Sequence, residues 1–250
     1  MTTTPTPRTE TVGIGQIKET IPVLDEPWAK LRRTLFLAGA LLIIAGAFAD
    51  IQGVALSPMI ATVSANLKLT GAQVGWIING LTLSGAVAAG LLSRLADLVG
   101  HRRVLIPLLL TATAGSVLCS LATNFEELLI GRFLIGVGVP AVAIIWGLIR
   151  PRATEPQIRF ISLTLGSVIG LGVAVSLVLG GLLLELGASW QSIFWLLTGG
   201  YVLMLILALA SPESPESVRD RVPIDWLGGI GLGVWLVALL LGITWGQEFG

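Results

Sequence analysis

Two ionisable residues stand deep inside long apolar runs. Asp50 lies sixteen residues into the run 34–58, and Arg132 lies five residues into the run 127–149, near its outer end. A charge in the hydrocarbon region of a bilayer is costly, so such positions are functional candidates by default. At the helical rise per residue, Asp50 sits about 24 Å and Arg132 about 22 Å above the same side of the membrane. An acid and a base at one level could share a water-filled cavity and neutralise each other, and protonating Asp50 would break that arrangement. The alternative is a static pair, or two separate anchors near the outer interface. Gln52, Asn79 and Thr82 add polar groups that could line the same cavity. A third concentration of charge is the stretch 93–105, "SRLADLVGHRRVL". It gathers Arg94, Asp97, Arg102, Arg103 and the chain's one histidine, His101, although charged residues are only 12% of the sequence.

The elements that must position these residues follow from composition. Of 250 residues, 54% are hydrophobic and the mean hydropathy is +0.89, which indicates an integral membrane protein. Seven runs are long enough to cross a bilayer as helices: 34–58, 72–92, 104–122, 127–149, 160–184, 190–210 and 226–245. None alternates with period two, which argues against a transmembrane barrel. The first 33 residues are polar and carry four prolines, which predicts a mobile tail rather than a cleaved signal peptide. Residues 211–225 form a polar linker before the seventh run.

Basic residues set the orientation. Thirteen of the fifteen Lys and Arg fall in the tail, 93–103, 150–159 and 211–225, and the opposite segments hold only Lys68. This asymmetry places the amino terminus in the cytoplasm and, after seven spans, the end of the chain outside. A receptor with an external amino terminus does not fit, nor does a retinal protein, since no lysine lies in a span. Zero net charge gives no reason to expect a nucleic-acid partner. One cysteine (Cys119) and one histidine cannot build a metal cage, and no cofactor is expected. Cys119 reads as an inert buried thiol. Trp190, Trp195, Trp226 and Trp245 fall near span ends, as in an interfacial belt.

Glycine clusters within the helices: Gly136 and Gly138 in the fourth run, and Gly166, Gly170, Gly172, Gly180 and Gly181 in the fifth. Small residues let helix backbones approach closely in lipid. These seven are therefore expected at helix contacts, on surfaces smooth enough to rock against a neighbour.

The stretch 93–105 resembles the signature loop of the major facilitator superfamily, of the form G-x-L-A-D-x-x-G-R-[RK]. Leu95, Ala96, Asp97, Gly100 and Arg102 match, with Ser93 replacing the first glycine and His101 the first basic residue. "LLIGRFLIGVGVPA" (128–141) resembles the family's fourth-span motif, with Arg132 at its arginine. "SWQSIF" (189–194) and "IDWLGGIGLGVWLVALLLGITWG" (224–246) are similar to the sixth span and first linker helix of its fourteen-helix drug:proton antiporter group. The fifth span departs from the antiporter pattern, with Ser176-Leu177 where a Gly-Pro pair would stand, which leaves the direction of transport open.

The resemblance implies an all-α membrane protein with a six-helix bundle of 3+3 inverted repeats (34–210), followed by a seventh helix (226–250). It implies proton-coupled movement of a small molecule across a cell membrane, with export the expected direction. Asp50 and Arg132 would couple the proton. Ser93, Asp97, Gly100, Arg102 and Arg103 would form a cytoplasmic gating loop. A second six-helix half, in the same longer chain or a second chain, would complete the substrate site. The competing expectation is a half-transporter with an interaction or regulatory role. An enzyme is disfavoured, because no nucleophile–base pair or metal cluster shares a depth.

Overall fold

A computed structural model describes residues 25–151 and 153–211, with four single positions between 231 and 242. The expected tail up to residue 24, the linker 212–225 and nearly all of the seventh span lie outside the described residues. Among those described, every regular element is helical. The order is α1 (Asp25–Val54), a single 3-10 turn (Ser57–Met59), α2 (Ile60–Leu67), α3 (Gly71–Val99), α4 (His101–Leu121), α5 (Phe125–Gly136), α6 (Ala141–Ile149), α7 (Glu155–Glu185) and α8 (Ser192–Ala210). Among the described residues, six stretches are long and apolar enough to cross a membrane: Phe36–Leu67, Gly71–Val99, His101–Leu121, Phe125–Ile149, Glu155–Glu185 and Ser192–Ala210. Each coincides with one of the first six runs read from the sequence.

Two boundaries differ from expectation. The helix begins at Asp25, so residues 25–33 are not part of a structureless tail. The expected loop 93–103 is almost entirely helical, since α3 runs to Val99 and α4 starts at His101. Gly100 alone separates them, at φ +112°, a conformation that L side chains rarely adopt.

Side-chain caps set the starts of α3 and α5. The Thr70 side chain accepts from the Gln73 amide and the Gln73 side chain accepts from the Thr70 amide, a reciprocal cap on α3. Asn124 caps α5 by accepting from the Glu127 amide at 2.9 Å. Both spans that carry a deep ionisable residue are broken. The first is interrupted around Pro58 and the fourth over residues 137–140, ahead of α6 and including Pro140. Proline has no N–H to give, and the ladder gives way to tighter turns, such as Gly138 N–H to the Ile135 carbonyl at 2.8 Å. Asp50 and Arg132 each precede their break by about one helical turn.

Helix α4 packs between α5 and α8, while α1 packs against α6, α7 and α8. Leu41, Leu42, Leu105, Leu109, Ile135, Ile144, Phe194 and Leu197 fill the interior. Close approach uses glycine where expected at four positions. A Cβ on Gly136 would strike Ser84 and the Leu81 carbonyl; on Gly138, Ala112; on Gly172, the Asp50 carboxylate; on Gly180, the Ala55 carbonyl. Gly166, Gly170 and Gly181 are a correction: nothing among the described residues lies within 4 Å of a Cβ there, so they make no helix contact in this bundle. All three lie on α7, which contacts the bundle mainly through one face towards α1. Phe160, Leu163, Leu171 and Val178 are exposed on the rest of that helix.

Trp190 is also corrected. It is 2% exposed and meets Phe194 edge-on at 6.1 Å, so it belongs to the core and not to an interfacial belt. Trp195 is exposed as expected, and Trp226 and Trp245 lie outside the described residues. Cys119 is buried against Gly131.

Candidate functional site

Asp50 and Arg132 do not form the expected ion pair. The Arg132 guanidinium, 1% exposed, donates from Nε to the Ile77 carbonyl at 3.0 Å and from Nη1 to the Gln52 carbonyl at 2.7 Å. It thereby ties α5 to α3 and α1. A buried cation is tolerable when backbone oxygens solvate it in place of water. The Gln52 carbonyl lies beside the break that ends α1, whereas the Ile77 carbonyl lies within the unbroken α3.

Asp50 turns the other way, towards α7. Its Oδ2 is shielded from solvent and has no hydrogen-bond partner, and the carboxylate lies where Gly172 leaves room for it. Ser176, one turn further along α7, is buried and donates to the Gly172 carbonyl at 2.6 Å instead of reaching the carboxylate. With serine and leucine where a Gly-Pro pair would stand, α7 keeps its ladder and runs unbroken from Glu155 to Glu185.

Gln52 is the junction of this region. It is 5% exposed; its backbone oxygen receives Arg132, and its side-chain oxygen accepts from the Tyr201 hydroxyl of α8. Gln52 and Tyr201 also line an open crevice between α1, α6 and α8 whose remaining walls are apolar, including Phe48, Val142 and Met204. Asn79 and Thr82 do not line it: both are exposed on α3. Among the polar groups expected around one cavity, only Gln52 is joined to Arg132.

Sequence reading passed over Tyr201, although the signal was present. It is the chain's one tyrosine, set within the sixth span, and a hydroxyl buried in an apolar span must find an acceptor.

At the Gly100 end the charged residues separate into two contacts. Arg102 donates from Nε to the Ala208 carbonyl at 3.1 Å and from Nη2 to the Leu209 carbonyl at 2.8 Å, closing the carboxyl end of α8. A cation there meets both the unpaired carbonyls and the negative end of the helix dipole. Asp97 faces His101, with Nε2 3.4 Å from Oδ1. Ser93 is half-buried within α3 and Arg103 is exposed.

Comparison with known proteins fits this architecture. Residues 42–246 match the family model of the Major Facilitator Superfamily. An uncharacterized MFS-type transporter of Mycobacterium tuberculosis is 31% identical over 191 residues, covering 76% of this chain and 27% of the relative. A uridine/deoxyuridine transporter of Lactococcus lactis is 31% identical over 208 residues, covering 82% of this chain and 42% of the relative. Multidrug transporter protein MdtP of Bacillus subtilis is 26% identical over 222 residues, covering 87% of this chain and 39% of the relative. The chain thus spans less than half the length of each of these. The crystal structure of the human organic anion transporter MFSD10 superposes with a TM-score of 0.59 at 14% identity, over 81% of this chain and 53% of that one, a likeness of fold. Six membrane-crossing helices, a buried arginine bracing three of them and a family match over most of the sequence lead to one statement: this chain belongs to the major facilitator superfamily.

Proposed function

We propose that this chain forms the amino-terminal bundle of a proton-coupled secondary transporter for a small molecule, working by alternating access and exporting its substrate across the cell membrane. The observation that carries the reading is Asp50. An oxygen shielded from water without a partner is costly when charged and far less so when protonated, so its surroundings suit a group that takes up and gives back a proton as the site opens and closes. Arg132 supports that cycle as a brace on the Gln52 and Ile77 carbonyls rather than as a counter-ion. The named transporters among the relatives support transport as the activity. The substrate site lies between this bundle and a second six-helix half. The basic face, with Arg94, Arg102, Arg103 and Arg150, lies in the cytoplasm, and the contacts at Gly100 serve that side as a gate.

The test is flux in vesicles holding this bundle together with its second half, driven by an imposed proton gradient. Asp50→Asn should abolish the gradient dependence while leaving passive exchange of substrate. Unchanged coupling in that variant rejects the role assigned to Asp50.

A further inference from the structure

His101 is the only histidine in the chain, and it stands directly after Gly100, where the signature loop that the 93–105 stretch resembles has an arginine. Its Nε2 lies 3.4 Å from Oδ1 of Asp97, one turn earlier and across the Gly100 junction. The same Nε2 edge of the ring rests on α6, where a Cβ on Gly147 would collide with Nε2 and Cδ2. We propose that His101 and Asp97 form a second proton-binding site, at the Gly100 end of the bundle and separate from Asp50, whose loaded form ties the end of α3 to the start of α4.

The chemistry follows from the pair. Imidazole is the side chain whose charge ordinarily changes between about pH 5 and 8. Protonated, it makes a charge-assisted contact with the Asp97 carboxylate; neutral, it retains a weaker polar contact. An arginine at this position would hold the contact at every pH. Asp97 is 49% exposed and His101 22%, so water can deliver the proton while the ring keeps a defined seat. Gly100 contributes no side chain to this junction, and its amide bonds back to the Ala96 carbonyl at 3.0 Å. The pair adds a side-chain tie to the backbone bonds of this turn.

Among the described residues, Asp97 is the one anion facing the ring; the other charged groups nearby, and the helix start that His101 occupies, are positive and oppose its protonation. From α3 it faces Asp97, with Arg94 exposed one turn earlier. Along α4, Arg102 is engaged with the end of α8 and Arg103 is exposed. Helix α6 presents Gly147 and has no titratable side chain before the exposed Arg150 that follows it. Helix α8 offers backbone carbonyls there, and the ionisable residues of α5 (Glu126, Glu127 and Arg132) belong to its deep and opposite portions. Under the orientation proposed above, the site samples cytoplasmic pH. Its existence does not depend on that orientation or on the role of Asp50.

One imidazole in the sequence makes a direct test available. The ring resonance of the full chain, reconstituted in lipid discs without a histidine tag, is followed by NMR as pH is varied. We expect a titration between about pH 5 and 8. Asp97→Asn should lower the proton affinity about twofold, the size of a helical i,i+4 ion pair, and Asp50→Asn should leave it unchanged. Backbone amide exchange across residues 93–104, corrected for its intrinsic pH dependence, should be about twofold slower at low pH than at high pH. His101→Gln should remove that difference, and His101→Arg should hold the slow value throughout. Gly147→Ala keeps the imidazole but displaces it, and should also remove the difference. A midpoint indifferent to Asp97→Asn, or the same exchange ratio in the wild type and His101→Gln, overturns the proposal.

Discussion

The Gln52 carbonyl accepts a 2.7 Å hydrogen bond from Nη1 of Arg132, so the buried base of α5 is joined to α1 through backbone and not through the acid two residues earlier. Asp50 and Gln52 are neighbours in sequence but point to different helices: the carboxylate to α7, the amide to α8. The acid and the base therefore serve different tasks. Arg132 ties three helices together, and Asp50 lies against α7 with its Oδ2 unpartnered.

Removing the brace should be expensive. Arg132→Met leaves the Gln52 and Ile77 carbonyls without their side-chain donor in a dry interior and should cost about 2–4 kcal/mol. Arg132→Lys keeps the charge but cannot fork to two carbonyls, and should fall between the two. Thermal unfolding of the purified chain in detergent checks the order, wild type above Lys above Met.

Tyr201→Phe removes one hydroxyl and nothing of the ring. The lost bond to Gln52 should cost about 1 kcal/mol, with the fold retained. A loss as large as that of Arg132→Met would show that the Tyr201 contact, not the arginine, organises the region.

The glycines of α7 should divide in two. Gly172→Ala drives a methyl group into the Asp50 carboxylate and should lower both stability and any gradient-driven flux. Gly166→Ala and Gly170→Ala meet open space among the described residues and should be neutral or stabilising by about 0.5–1 kcal/mol through helix propensity. Equal effects at all three positions, read as unfolding midpoints, would contradict the packing described here.

Asp50→Asn should raise the unfolding midpoint at neutral pH, by about 2–4 °C, because it removes a charge whose Oδ2 lacks a partner and keeps the shape. A lowered midpoint would mean that the carboxylate has a stabilising partner.

Arg102→Gln should loosen the carboxyl end of α8 at a cost of about 1 kcal/mol, seen as faster amide exchange over residues 205–211. Exchange confined to its wild-type rate there would show that α8 does not need the cap.

The six membrane-crossing helices were legible from sequence because each expresses a one-dimensional requirement, about 20 consecutive apolar residues. The deep positions of Asp50 and Arg132 were legible for the same reason, since depth is a count along a helix. The family could be read from the Leu95–Arg102 spacing and the 128–141 motif, and the match over 42–246 agrees. Tertiary structure alone decided which way each side chain turns. A rotation of about 100° per residue separates the directions of neighbouring side chains, so equal depth says nothing about facing. That is why Asp50 meets Gly172 while Arg132 meets backbone carbonyls. It is also why Gly172 and Gly180 touch α1 and the turn after it while Gly166, Gly170 and Gly181 do not. The same rule hid Tyr201 and buried Trp190, because the partner across a helix interface is set by packing among distant segments and leaves no local trace in the chain.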